Sequence, residues 1–335
     1  MPLVLQREQV LKVYAEAADR KWVLPAFNAE NLTTVEAILA AAREYGARIG
    51  KKDLPIIVSI TNNYGPRPQS VYYTHTRKWQ VGLELFLADL QVLTFKESPF
   101  ADLNVMIHLD HIQWDDDREL LNRDMGRFSS IMYDASALPF DENIKKTAGF
   151  MQKHGGNILV EGACDEIYDS SAHTNDGLTT PDMAARYISG TGVDIIVANL
   201  GTEHRSSGAN LYYRRELARE IAERTGPCLC LHGTSSVPVD DLDRLFDDGI
   251  RKVNIWTALE RDSSAPLFQN MIENASKIIG REKAEKWVAE QLLGDNAGRR
   301  DDPSVHYYTT TYRQGIVFQN MKKKILKYLN TFYRK

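Results

Sequence analysis

Two histidines flank a carboxylate in one short segment of this chain, in the order His108, Asp110 and His111. They follow an apolar run at residues 105–107, which we expect to be a buried strand that ends there. Polar residues at the carboxyl end of a buried strand point towards a rim, where barrel enzymes hold their reactive groups. Imidazole and carboxylate side chains can bind a metal ion or transfer protons, so this segment is a candidate for both roles.

Other predicted strands end in the same kind of residue, at Glu161, His204 and His232. A catalytic zinc site takes three protein ligands and keeps one position open, a requirement that His111, His204 and His232 meet. A metal beside a carboxylate, with no nucleophilic serine or cysteine, favours carbonyl polarisation with proton transfer by Asp110. A hydrolytic barrel is the main alternative, although such barrels usually carry a His-x-His pair on the first strand and residues 22–28 contain no histidine.

The elements that must position these residues alternate regularly between strands and helices. Eight predicted strands separated by helix-length intervals predict an α/β fold, a (β/α)₈ TIM barrel over residues 1–261 that includes an N-terminal helix. Residues 262–335 are predicted to form a C-terminal helical extension packed on the barrel. Within the barrel we expect helices at residues 33–48, with Thr33 as N-cap and Glu36 completing a capping box, at 71–93 and at 239–248.

Composition excludes several classes of function. A net charge of −4 over 335 residues gives no electrostatic basis for binding nucleic acid. No apolar run approaches the length of a membrane span, and the N-terminus lacks the apolar core of a signal peptide. The three cysteines are an odd and sparse set that suits a reducing cytoplasm, and Cys228 and Cys230 are interpreted as core residues.

With these residues placed, the chain resembles the class II, zinc-dependent ketose-bisphosphate aldolases, which include fructose- and tagatose-bisphosphate aldolases. The matching blocks occur in the order of the family, at residues 26–31, 108–111, 128–136, 139–144, 160–162, 191–194, 201–204, 231–233 and 252–255.

The resemblance implies one catalytic zinc ion per chain on the three histidines, and Asp110 as the acid/base for the hydroxyl of the aldehyde half. It places Asp134 and Glu161 in the polar surroundings of the metal, and it leaves room for a monovalent cation near the phosphate site. A carboxylate from the loop at residues 164–177 moves the carbon-bound proton, with Asp165, Glu166, Asp169 and Asp176 as candidates. The substrate and its phosphate are expected to contact Asn28, Thr61, Gly201, Arg205, Gly233, Ser235, Asn254 and Thr257.

The chain departs from the family in the loops that hold phosphate. Ala163 replaces a second glutamate, Arg205 a glycine and Trp256 an aspartate, and residues 233–236 read Gly-Thr-Ser-Ser instead of Gly-Gly-Ser-Gly. The implied activity is cleavage of a small phosphorylated ketose, similar to fructose bisphosphate, by a homodimer or homotetramer. The alternatives are an aldolase for a different anionic or a non-phosphorylated ketose, and a non-catalytic relative that binds a sugar phosphate.

Overall fold

The computed structural model describes residues 2–166, 177–202 and 213–334. Eight parallel strands in this part of the chain pair in sequence order and close into a barrel, since β8 pairs with β1. The strands are β1 (Leu24–Asn28), β2 (Pro55–Thr61), β3 (Asn104–Gln113), β4 (Ser130–Asp134), β5 (Leu159–Ala163), β6 (Ile195–Val197), β7 (Leu229–Leu231) and β8 (Ile250–Ile255). The predicted (β/α)₈ barrel is therefore confirmed.

Helices surround the barrel and extend beyond it. They are α1 (Arg7–Asp19), α2 (Leu32–Ile49), α3 (Gln69–Tyr72), α4 (Trp79–Leu93), α5 (Arg118–Leu121), α6 (Phe140–His154), α7 (Pro181–Thr191), α8 (Arg215–Thr225), α9 (Thr257–Glu273), α10 (Ala275–Ile279), α11 (Arg281–Ala289), α12 (Val305–Tyr308) and α13 (Thr310–Phe332). Short 3₁₀ helices lie at Met125–Arg127, Thr234–Ser236 and Val239–Arg244. Among these helices, none combines the length and the apolar character that crossing a membrane requires.

The strands are buried on both faces, as expected when helices cover a parallel sheet. Every residue of β1, β2, β4 and β5 is buried, which explains their nearly continuous apolar sequences. Parallel pairing places all carboxyl ends at one mouth of the barrel, so polar residues at those ends are brought together.

The prediction that the third strand stops at residue 107 is wrong. β3 continues to Gln113, so His108, Asp110 and His111 lie inside the strand and not after it. The strand continues because both neighbours extend alongside it, β2 as far as the pair Thr61 and Asp110, and β4 beyond a register shift between Leu109 and Ile112.

Three local predictions about helices also need correction. The helix expected at residues 71–93 is interrupted between α3 and α4, where Arg77 has a φ of 56° that a right-handed helix cannot contain. The N-cap of α2 is Asn31, whose side chain accepts a hydrogen bond from the Thr34 N–H at 3.2 Å, and not Thr33. Residues 239–248 contain only a six-residue 3₁₀ helix, because the chain turns into β8 through Gly249 at a φ of 90°.

The C-terminal helix α13 packs against α2 and α9 and anchors its end in the barrel. The Tyr333 hydroxyl donates a hydrogen bond to the Pro55 carbonyl at 2.7 Å, and the Tyr333 carbonyl accepts one from the Tyr45 hydroxyl at 2.8 Å. The predicted boundary between residues 261 and 262 falls within α9, and the division into barrel and extension stays a prediction.

Candidate active site

Three side chains at the mouth of the barrel converge on one point. Asp110, His111 and His232 each offer a potential ligand atom, and these atoms lie within 4.8 Å of one another. All three residues are buried, and the imidazole rings of His111 and His232 are 4.8 Å apart and nearly perpendicular. The sequence prediction that these residues share a site is consistent with this geometry.

A bulge in β3 makes the convergence of Asp110 and His111 possible. Consecutive residues of a regular strand point to opposite faces, so a regular β3 would turn one of these side chains away. The register shift against β4 and the φ of 48° at His111 break the alternation at this step. A positive φ is costly for a residue with a Cβ, and such strain concentrates at functional sites.

His111 is held by a carboxylate and an aromatic ring. Its Nδ1 lies 3.0 Å from Asp134 Oδ2, and the Tyr64 ring stacks on the imidazole at 4.3 Å. Burial opposes the charged imidazole, but Asp110 and Asp134 together raise the pKa of His111. A carboxylate on one ring nitrogen is the usual support of a metal-binding histidine, so His111 and His232 fit a zinc ion held through His111 Nε2, with Asp110 beside it.

Asp110 is clamped by two amides. Its Oδ1 accepts a hydrogen bond from Asn254 Nδ2 and its Oδ2 accepts one from Asn28 Nδ2, each at 2.8 Å. Burial alone would favour the neutral acid, but the imidazoles of His111 and His108 lower the pKa of Asp110 well below its usual range. The charged form of the carboxylate is therefore favoured and held in one orientation, as a general base requires.

Lys252 is a member of the site that sequence reasoning missed. It is fully buried, and its ammonium donates hydrogen bonds to Glu161 Oε2 at 2.9 Å and Asn254 Oδ1 at 2.7 Å. The Lys252 ammonium also lies 3.1 Å from the Nε2 of His108. His108 thus belongs to the hydrogen-bond network of Lys252, and neither group of potential metal ligands found among the described residues includes it. The spacing of residues could have indicated that Lys252 belongs to the site, because Lys252 and Asn254 are two residues apart in a strand and so share a face.

Glu161, Cys230 and His232 form a second group of potential ligand atoms within 4.8 Å of one another. The Glu161 carboxylate already pairs with Lys252. Burial raises the pKa of the Cys230 thiol well above its usual value, so this thiol is protonated and a poor ligand. The interpretation of Cys230 as a core residue fits its complete burial.

The predicted substrate-binding residues divide into three sets. Six line the cavity above the histidines, namely Asn28, Thr61, Gly233, Ser235, Asn254 and Thr257. Gly201 has a φ of 79° and is not among the described residues lining that cavity. Arg205 lies outside the described residues, as do the predicted ligand His204 and the candidate bases Asp169 and Asp176.

The remaining candidate bases, Asp165 and Glu166, line an adjoining cavity that also includes His111. Asp165 accepts a hydrogen bond from the Thr179 hydroxyl at 2.7 Å, and burial raises its pKa. Sequence reasoning also missed Arg67, in the loop after β2, and Gln69, the first residue of α3. Both line the cavity above the histidines (the main cavity).

Comparison with known proteins agrees with this architecture. A family model described as fructose-bisphosphate aldolase class-II matches residues 8–297. Fructose-bisphosphate aldolases of Staphylococcus aureus and Staphylococcus epidermidis are each 26% identical to this chain, covering 88% of it and 96% of their own lengths.

Two solved structures support the fold. The fructose-bisphosphate aldolase of Campylobacter jejuni has a TM-score of 0.75 at 18% identity, covering 98% of this chain and 95% of that one. The YdjI aldolase of Escherichia coli K12 has a TM-score of 0.65 at 20% identity, covering 95% of this chain and 94% of that one. The family match spans most of the sequence and confirms the resemblance, so the chain belongs to the class-II fructose-bisphosphate aldolase family.

Proposed function

We propose that this protein is a zinc-dependent aldolase that reversibly cleaves a phosphorylated ketose, similar to fructose bisphosphate, into dihydroxyacetone phosphate and an aldehyde. The observation that carries the proposal is the carboxylate of Asp110, held by hydrogen bonds from two amides beside His111 and His232. This arrangement supplies an acid/base group next to potential metal ligands, which is what cleavage of a carbon–carbon bond beside a carbonyl requires.

His111, His232 and, from the family resemblance, His204 would hold the zinc ion. When bound, zinc would polarise the ketose carbonyl and stabilise the negative charge that develops on the ketose half. Asp110 would take the proton from the substrate hydroxyl as the neighbouring carbon–carbon bond breaks, and the bonding electrons stay with the ketose half. Asp165 or Glu166 would then return a proton to that carbon, since both line the cavity next to His111.

The phosphate of the ketose half would lie against the loops after β6, β7 and β8. Gly233, Ser235 and Thr257 line the cavity there and offer backbone N–H groups and hydroxyls, with Arg205, Gly201 and a monovalent cation as further candidates. We also propose a cytoplasmic homodimer or homotetramer. The free state of the three cysteines is in keeping with a reducing compartment.

The experiment is a paired measurement of zinc content and aldol cleavage in the wild-type protein and two variants. We expect about one zinc ion per chain in the wild-type protein and its loss from His111→Ala. Asp110→Asn should keep the zinc while turnover falls by about 10²-fold or more, because the amide cannot exchange the proton.

His75→Ala is the matched control, because His75 is an exposed histidine of the loop between α3 and α4. It should retain both zinc and activity. Full zinc content in His111→Ala would show that the ligands are wrongly assigned, and wild-type turnover by Asp110→Asn would exclude its acid/base role.

A further inference from the structure

One wall of the main cavity is built around a buried carboxylate, Glu30. Its Oε1 accepts hydrogen bonds from Trp256 Nε1 at 2.7 Å, Gln69 Nε2 at 3.0 Å and Arg67 Nε at 3.0 Å, and Arg67 also bonds to Oε2. The Arg67 guanidinium lies 5.9 Å from the Trp256 ring and 5.2 Å from the Tyr72 ring. We call Glu30, Arg67, Gln69 and Trp256 the Glu30 wall.

The Glu30 wall is connected to the proposed acid/base. Gln69 Oε1 accepts a hydrogen bond from Asn28 Nδ2 at 3.2 Å, and the same amide nitrogen donates to Asp110. Arg67, Gln69 and Trp256 line the cavity together with Asp110. On the proposed function, the hydroxyl that Asp110 serves belongs to the aldehyde half, so this half lies along the Arg67 and Gln69 part of the Glu30 wall. Thr257, the residue after Trp256, is left for the phosphate of the ketose half.

The charge of the wall does not suit a phosphate. Among the described residues that line the main cavity, Arg67 is the only lysine or arginine. Its charge is matched by Glu30, and Glu260 lies close enough to interact electrostatically with both. A phosphate dianion at this wall would have to compete with a carboxylate that is only 7% exposed and already accepts hydrogen bonds from three side chains.

The same wall suits an uncharged hydroxylated chain. The compensated guanidinium of Arg67 and the amide of Gln69 can exchange hydrogen bonds with hydroxyl groups without burying further charge. The Trp256 ring offers an apolar face to C–H groups. The indole N–H of Trp256 also closes the ring of contacts, because it donates a hydrogen bond to Glu30.

We propose that the aldehyde half of the substrate is a neutral, hydroxylated chain, so that the ketose carries its phosphate on the other half only. The Glu30 wall determines this preference by keeping Arg67 paired with Glu30. The inference rests on the proposed aldolase function for the orientation of the substrate, and it narrows the substrate class to ketose monophosphates.

The test is calorimetric binding of two non-cleavable ligands to the zinc-loaded protein, D-mannitol 1-phosphate and D-mannitol 1,6-bisphosphate. The two ends of mannitol are equivalent, so the ligands differ only in a second terminal phosphate. The wild-type protein should bind the monophosphate at least as tightly as the bisphosphate. Tighter bisphosphate binding by tenfold or more would overturn the proposal, and so would the failure of both ligands to bind.

A variant with an uncompensated Arg67 tests the cause. Glu30→Gln should improve bisphosphate affinity relative to monophosphate affinity by about tenfold or more, the value of one charge-assisted hydrogen bond. Adding Arg67→Gln should abolish that gain. The control is Glu84→Gln, which makes the same charge change at an exposed carboxylate paired with Arg127.

An equal change in Glu30→Gln and Glu84→Gln would overturn the role of the wall, and the wild-type comparison remains decisive if Glu30→Gln does not fold. Binding is measured without turnover, so it separates this inference from the aldolase proposal. Absence of aldol cleavage by the zinc-loaded protein would refute the proposed function while the ligand preference is still measured.

Discussion

At the scale of single residues, the buried ammonium of Lys252 determines much of the geometry of the site. It binds Glu161 and the side-chain oxygen of Asn254, which directs the Asn254 amide nitrogen towards Asp110. Burial alone would lower the pKa of Lys252, but the carboxylates of Glu161 and Asp110 raise it, so the group stays charged. A buried ion pair is stable only while both partners are present, because either charge alone has lost its hydration.

Replacing Lys252 with methionine tests this pair. Lys252→Met leaves the fully buried Glu161 carboxylate without its cation and should lower the free energy of unfolding by roughly 3–5 kcal/mol. Urea denaturation followed by circular dichroism measures the change. The double variant Lys252→Met with Glu161→Gln should recover part of the loss, because no unpaired charge remains. A double variant no more stable than the single one would contradict this account.

The sequence predicts some residues of the site better than others, for a physical reason. Asp110, His111 and His232 were predictable because they lie at or near strand ends, and the topology alone brings such positions together. The partners of Lys252 and Glu30 were not predictable. Lys252 contacts Glu161, which is 91 positions away in the chain, and Glu30 contacts Trp256, which is 226 positions away. Contacts between distant polar groups depend on side-chain rotamers and on the paths of loops, and the periodicity of the sequence predicts neither of these.

At the scale of the element, β3 shows where periodicity misleads. The apolar run at residues 105–107 correctly indicates a strand, but the alternation of side chains along a regular strand gives opposite directions to Asp110 and His111. The bulge that turns both side chains to the same side depends on a positive φ at His111, and the residue type does not predict this conformation. The strand was predictable, whereas the local irregularity that serves the site was not.

The start of α2 gives a test at the same scale. Asn31 has extended backbone angles and accepts a hydrogen bond from the Thr34 N–H, whereas Thr33 already lies within the helix. Asn31→Ala should therefore lower the free energy of unfolding by about 1 kcal/mol. Thr33→Ala, the matched control, should change it by less than about 0.5 kcal/mol, the usual range away from such features. Thermal unfolding of both variants measures the difference, and a larger effect at Thr33 would restore the sequence-based cap.

At the scale of the whole molecule, the C-terminal helix and the barrel share one core. Tyr333 is fully buried, stacks on Trp22 at 4.7 Å and donates a hydrogen bond to the first residue of β2. Tyr328 of the same helix lines the main cavity. The sequence predicted a C-terminal helical extension but not its docking site, because an amphipathic helix specifies only which face it buries.

The helix that leaves β8 also makes the stability of the molecule depend on pH. Burial raises the pKa of Glu260, in the first turn of α9, from 4.5 to about 7, with a further contribution from Glu30. Between these two values the folded protein holds a proton that the unfolded chain has released, so the free energy of unfolding falls as pH rises from about 4.5 to about 7. The full difference corresponds to roughly 3 kcal/mol.

Glu260→Gln removes this dependence, because the amide resembles the neutral acid at every pH. The variant should match the wild-type protein near pH 4.5 and exceed its free energy of unfolding by roughly 3 kcal/mol above pH 7, by urea denaturation across the pH range. Glu273→Gln is the control, because Glu273 is an exposed carboxylate at the other end of α9 and should leave the profile unchanged. A constant offset between Glu260→Gln and the wild-type protein at all pH values would show that Glu260 does not titrate in this range.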